Sequence, residues 1–320
     1  MRISSPFLRR LSGLLLILGA IIAATYPVRS ADKRVVLIAG RPSHPPGMHE
    51  FRAGALLLQK ALSAVAGITV QVYDGGWPAK EVDGARVDDN AALDNADAVL
   101  IFSDGGKGNP AIQGERAKVL DALVAKGAGL GFAHYAVEVP AGVPGETMQR
   151  WIGGFYETNY SVNPMWKPAF DKFPNHPITR GVGPFATHDE WYFSMRWTPD
   201  GAAKAKITPI LISTPSDEVR KGPYVSPRGP YDHIIAASGQ AETMMWVFER
   251  PGGSRGMGFT GGHTHTNWGD PNQRKIMLNA LLWLAKVEVP AKGVVDTITE
   301  ADLAMNLDEK PARGRGRGGF

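Results

Sequence analysis

The chain has 320 residues, no cysteine and a formal net charge of +4. That length can bury a full core and suits one large domain plus extensions, while the missing thiols exclude a cysteine nucleophile, a thiolate metal site and an iron–sulfur cluster. The positive charge does not describe a binding face: four arginines fall in residues 1–30 and a net +3 lies from Glu309 onward, so residues 31–308 carry a net −3, and nucleic acid is not an expected partner.

In chain order, Arg2, Arg9 and Arg10 precede the apolar stretch Leu11 to Ala24. A basic start followed by a short apolar run reads as an export signal cleaved after Ser30. The alternative is an uncleaved anchor, but the run falls short of the roughly 20 residues that a span requires. The mature protein is therefore expected in the periplasm or outside the cell, with no stable membrane span.

Arg34 to Ala39 is the continuous apolar run of a buried parallel strand. Phe51, Ala55, Leu58, Leu62 and Val65 then recur at steps of four and three, as one stripe of a helix. Strands are expected at Ile68 to Tyr73 and Asp97 to Phe102, then a helix opened by Asn109-Pro110, then a strand from Gly127 to Ala133. This alternation predicts an α/β fold with a doubly wound, mostly parallel sheet. Residues 139–200 break the rhythm with Pro, Gly and aromatic residues, and read as an irregular insertion of the kind that forms lids or binding loops. Strands return at Ile207 to Ile212, Thr243 to Glu249 and Gly256 to Thr260, and a last helix starts at Asp270-Pro271. One domain over residues 31–290 is expected, followed by an extension over 291–320 whose Arg-Gly tail from Lys310 is low-complexity and expected to be disordered.

Side chains just past the carboxyl ends of strands line the ligand crevice of such a sheet. His44, His49 and Glu50 follow the first strand, and His134-Tyr135 follows the strand ending at Ala133. His263-Thr-His265 follows the last strand and puts two imidazoles on one face if the extended backbone continues. Imidazoles at these positions suit proton transfer or metal ligation. Taken singly, Glu50 can equally match a helix dipole, His49 can be a packing histidine, and His134 can be satisfied by backbone in a closed turn. In Asp189-Glu190-Trp191-Tyr192 an extended backbone turns Glu190 and Tyr192 one way and Asp189 and Trp191 the other. A carboxylate beside aromatic rings suits a sugar, though the rings can also be core. His176 and His233 have no partners nearby in sequence and read as surface residues. No nucleotide loop is present: Asp104-Gly-Gly-Lys-Gly108 lacks the phosphate-loop spacing, and no G-x-G-x-x-G follows the first strand.

Pro46-Gly-Met-His49, His134-Tyr135, Asp189-Glu190-Trp191-Tyr192, Gly262-His263 and Leu278-Asn-Ala-Leu-Leu-Trp283 occur in this order, and in them residues 34–290 resemble the ThuA-like (trehalose utilisation) family. Trp151-Ile-Gly-Gly-Phe-Tyr-Glu157 and Ser161-Val-Asn-Pro164 resemble its exported, planctomycete-type members in particular. The resemblance implies a flavodoxin-like sheet related to class I glutamine amidotransferases. Those enzymes carry a cysteine where this chain has His134, so glutaminase chemistry is excluded. It also implies disaccharide breakdown by way of 3-keto sugars, with the family's polar cluster falling on His49, His134, Glu190 and His263. His44, Glu50 and His265 join that cluster in exported members. Many relatives have a histidine where this chain has Lys107-Gly-Asn109, a departure that alters the site.

The expected function is an exported enzyme acting on (3-keto) disaccharides or glycosides, as a hydrolase, lyase or isomerase. His49, His134 and His263 would hold a divalent metal (zinc, iron or manganese) or share a proton-transfer network, with Glu190 as general acid/base. His44, Glu50, Tyr135, Asp189, Trp191 and His265 are expected to contact the sugar. The rival is a non-catalytic carbohydrate-binding or partner protein on the same scaffold.

Overall fold

A computed structural model describes residues 32–198, 207–250 and 252–310. The expected export signal and the Arg-Gly tail beyond Lys310 lie outside the described residues.

Seven strands form one sheet: β1 (Lys33–Ala39), β2 (Ile68–Tyr73), β3 (Ala98–Phe102), β4 (Gly129–Ala133), β5 (Ile207–Ser213), β6 (Glu242–Glu249) and β7 (Arg255–Phe259). Their order is β5-β6-β7-β4-β3-β1-β2. Every pairing from β2 to β7 is parallel, and β6 runs against both of its neighbours. The sheet is thus mostly parallel, as the alternation of elements predicts.

Period-two alternation divides the core into two layers. Val35, Leu37 and Ala39 of β1 face the helices α1 (Phe51–Leu62) and α4 (Pro271–Leu284). Val36 and Ile38 face α2 (Arg116–Ala125) and α3 (Val143–Ile152). Both faces are covered, so the central strands are apolar throughout, and each fully buried aliphatic side chain contributes about 1.5–3 kcal/mol. Asp270 caps α4 by accepting from the N–H groups of Asn272 and Gln273 at 2.9 and 3.0 Å, with Pro271 at the first position.

Four local expectations are corrected. The stripe from Phe51 ends at Leu62, and Val65 lies in the turn beyond it. Asn109-Pro110 opens only a 3-10 turn, Pro110–Ile112; Gly114, at φ +52°, redirects the chain, and α2 starts at Arg116. The insertion opens with a regular helix, α3, whose first turn contains Pro144 and Gly145 and so reads as loop in sequence. A short exposed hairpin, Ala79–Val82 with Ala85–Asp88, also precedes β3. His233 is exposed, as expected, but His176 is half-buried against Trp283 and accepts from the Ile178 N–H at 3.2 Å.

Residues 291–310 run back over the domain. Val294 N–H donates to Asn279 at 2.8 Å, Arg274 pairs with Asp296 at 2.9 Å, and Lys310 ends against Glu50 at 3.0 Å.

Candidate functional site

The strand order reverses between β1 and β3, and the loops leaving β1, β3, β4 and β7 meet above that point. The first and last of these loops are joined by backbone bonds: His49 N–H to His263 O and His265 N–H to Gly47 O, each 2.9 Å. His49 and His134 both sit at positive φ, +48° and +54°. Non-glycine residues rarely occupy that region, and such strain gathers at functional sites.

Three ring nitrogens converge. His49 Nε2 lies 2.9 Å from His263 Nδ1 and 3.0 Å from His134 Nε2, and the last two are 3.3 Å apart. Glu190 Oε2 lies 2.7 Å from His263 Nδ1 and 3.8 Å from His134 Nε2. The outer nitrogens decide the tautomers. His49 Nδ1–H donates to Asp104 Oδ1 at 2.8 Å, and His134 Nδ1–H donates to the Thr260 carbonyl at 3.0 Å. Both Nε2 lone pairs therefore point inward, where the Tyr192 hydroxyl reaches His134 Nε2 at 3.2 Å. Burial, reinforced by the neighbouring imidazoles, pushes His49 and His134 well below the usual histidine range and keeps them neutral. Burial also raises Glu190, although the bond to His263 opposes it. Glu190 Oε1 accepts from Asn163 Nδ2 at 2.7 Å, so both of its oxygens are engaged.

This donor set fits a divalent cation. Tetrahedral ligand bonds of about 2.0–2.2 Å place neighbouring donors about 3.3–3.6 Å apart, a range that the observed 2.7–3.8 Å brackets, and zinc sites use three or four protein donors. The four donor atoms all lie within 4.8 Å of one another, and partners on the far nitrogens are the usual second layer of such sites. The same geometry also supports a proton-transfer network.

A cavity of about 200 Å3 opens beside the cluster, walled by His44, Tyr135, Glu138, Thr158, Glu190 and Tyr192, with Val225 to Pro227 opposite. A larger cavity of about 740 Å3, lined by Val124, Gln149, Phe248 and Arg250, lies at the other end of the strands and has no histidine in its wall.

Among the residues expected at the site, His49, His134, Glu190 and His263 are brought together, and His44 and Tyr135 stand at the cavity. Four others have different work. Glu50 turns away and accepts from Gly47 and Asp308 N–H groups, both at 2.8 Å, beside Lys310. Asp189 accepts from the N–H groups of Gly262 and Thr264 at 2.8 and 2.9 Å and so shapes the turn that carries His263. Trp191 is core, closing on Gly261, whose missing Cβ would lie 2.5 Å from its ring. His265 is buried and faces the Leu303 carbonyl at 3.1 Å. The expected split of Glu190 and Tyr192 from Asp189 and Trp191 is present: the first two line the cavity and the second two do not.

Sequence reasoning missed Asp104, Glu138, Thr158 and Asn163. Asp104 was within reach, because Ser103-Asp104-Gly105 follows β3 as His134 follows β4. In the loop after β3, Asn109 is buried and donates to the Ala136 and Glu138 carbonyls at 2.8 and 3.1 Å.

No curated protein matches the chain. Among solved structures, a protein from Bacteroides uniformis ATCC 8492 named as thua-like is similar in fold. It has a TM-score of 0.54 and 14% sequence identity, over 81% of this chain and 95% of that one. The ThuA family, described as trehalose utilisation, matches residues 53–284. With that match over most of its length, this chain belongs to the ThuA family.

Proposed function

We propose that this protein is an exported enzyme acting on keto-sugars, disaccharides or glycosides, by metal-assisted proton chemistry. The observation that carries the reading is the set of inward lone pairs of His49 and His134, fixed by Asp104 and Thr260, beside His263 and Glu190. His49, His134 and His263 would hold a zinc, iron or manganese ion, and Glu190 would complete the set. Glu190 serves as a fourth donor and not as the mobile acid/base, because Asn163 holds its Oε1 and its Oε2 faces the cluster beside His263 and His134. Such an ion supplies a Lewis acid that polarises a sugar carbonyl or hydroxyl.

The remaining wall suits a polyhydroxylated ligand: Tyr135 and Tyr192 offer rings and hydroxyls, and Glu138, Thr158 and Ser226 offer polar groups. A keto group acidifies the neighbouring C–H, so one positioned base can drive isomerisation or elimination. Elemental analysis of the purified mature protein beside its His134→Ala variant tests this reading. Near-stoichiometric metal that the variant loses is expected. A protein that takes up no divalent ion, even when supplied with one, would overturn the metal part.

A further inference from the structure

The proposed site has its cation donors accounted for and still lacks a group free to carry a proton between ligand and solvent. Glu138 is the other carboxylate in the cavity wall. Its backbone is fixed from three sides: its carbonyl accepts from Gly106 N–H at 2.9 Å and Asn109 Nδ2 at 3.1 Å, its N–H donates to the Tyr135 carbonyl at 2.9 Å, and it bridges to Tyr156. The side chain is half-buried and accepts one hydrogen bond, from the Thr158 hydroxyl at 2.6 Å, which orients the carboxyl without neutralising it.

We propose that Glu138 is the catalytic acid/base of this site, removing and returning the proton on the carbon beside a ligand's carbonyl group. The assignment rests on the sugar reading above. In the forward step the C–H bond breaks and its proton goes to a Glu138 oxygen. The bonding pair becomes the new C=C bond, and the carbonyl π pair moves onto oxygen on the side of the histidine cluster. Return of a proton from Glu138 to the same carbon completes exchange; its return to the neighbouring carbon, with the α-hydroxyl proton passing to the former carbonyl oxygen, completes isomerisation, with no external oxidant or reductant.

The electrostatics agree. The groups facing Glu138 are Tyr135 on its own turn and Tyr156, Tyr192 and Glu190 of the insertion. Burial raises all three phenols, so they stay protonated. Burial, opposed by the Thr158 bond and helped by the Glu190 charge, pushes Glu138 up to about 7, where an acid/base is most useful at neutral pH.

The test is proton–deuterium exchange into methyl 3-keto-glucoside in D2O, followed by NMR, with wild type, Glu138→Gln and Glu138→Asp. Metal content and probe affinity are measured in parallel. Glutamine keeps an acceptor for Thr158, so Glu138→Gln should fold, hold metal and bind the probe as wild type does. Its exchange should slow by about 100-fold or more, and the rise of rate with pH through neutrality expected of wild type should vanish. Glu138→Asp should keep part of the activity with a displaced pH profile. Wild-type exchange rates in Glu138→Gln would overturn the assignment alone. A wild type that neither binds nor exchanges the probe would overturn the sugar reading, and the assignment with it.

Discussion

Asp104 accepts the Nδ1 proton of His49 at 2.8 Å across 55 residues of chain, and this one bond decides which way the His49 lone pair points. Asp104→Asn retains the shape but removes the charge that favours this tautomer. Metal affinity should fall about 10- to 100-fold, the usual effect of losing such an outer partner. Competition with a chelator of known affinity measures it, and unchanged affinity would assign Asp104 to the cavity instead.

Removing a cluster member should separate chemistry from folding. His134→Ala is expected to lose bound metal and turnover, and to retain a native circular dichroism spectrum. His134 sits at φ +54°, where alanine is strained, so His134→Asn is the control better suited to that backbone. Full activity in either variant would remove His134 from the mechanism.

Lys310 and Glu50 form an ion pair at 3.0 Å with side chains 3% and 1% exposed. Burial alone would raise the Glu50 carboxyl, but Asp308 N–H, Gly47 N–H and Lys310 together hold it below the ordinary carboxylate value. A lowered carboxyl stabilises the fold above its unfolded value, and that contribution is lost as pH falls through the lowered one. Lys310→Met should therefore cost about 3–5 kcal/mol near neutrality. The gap from wild type should close in acid, below the ordinary carboxylate range. Thermal melts across pH measure both.

Gly105 stands where the loops after β3 and β4 touch, and a Cβ there would lie 2.0 Å from the Tyr135 carbonyl oxygen. Backbone cannot yield as a flexible side chain can. Gly105→Ala should cost about 1–3 kcal/mol and weaken metal binding, since Asp104 and His134 flank the contact. A melting temperature and metal content equal to wild type would refute this.

The layers of this fold are legible in sequence because Val35 to Ala39 and Ala98 to Phe102 are apolar at every position, as a short strand covered on both faces must be. The three cluster histidines are legible for a related reason: each follows a strand, where topology puts ligands. What a polar side chain does is a different matter. Glu50, Asp189 and His265 are carboxylates or imidazoles like the cluster members and lie beside them in sequence. Each is turned to backbone N–H or C=O groups that only the folded chain brings near. Glu138 and Asp104 were overlooked for the converse reason, since their partners Thr158 and His49 are 20 and 55 residues away. Helix α3 was hidden by Pro144 and Gly145, although Met148, Trp151 and Ile152 bury its inner face.

His49 and His263 are 214 residues apart, and Lys310 reaches back 262 residues to hold the Met48 carbonyl. The donor cluster therefore cannot close before both distant segments have left the ribosome. A product stopped just before β7 would have six of the seven sheet strands and the residues of two inward imidazoles, but no complete set of donors. Any ion held by the proposed cage would load after these segments have met, and its retention would mark a folded set of donors.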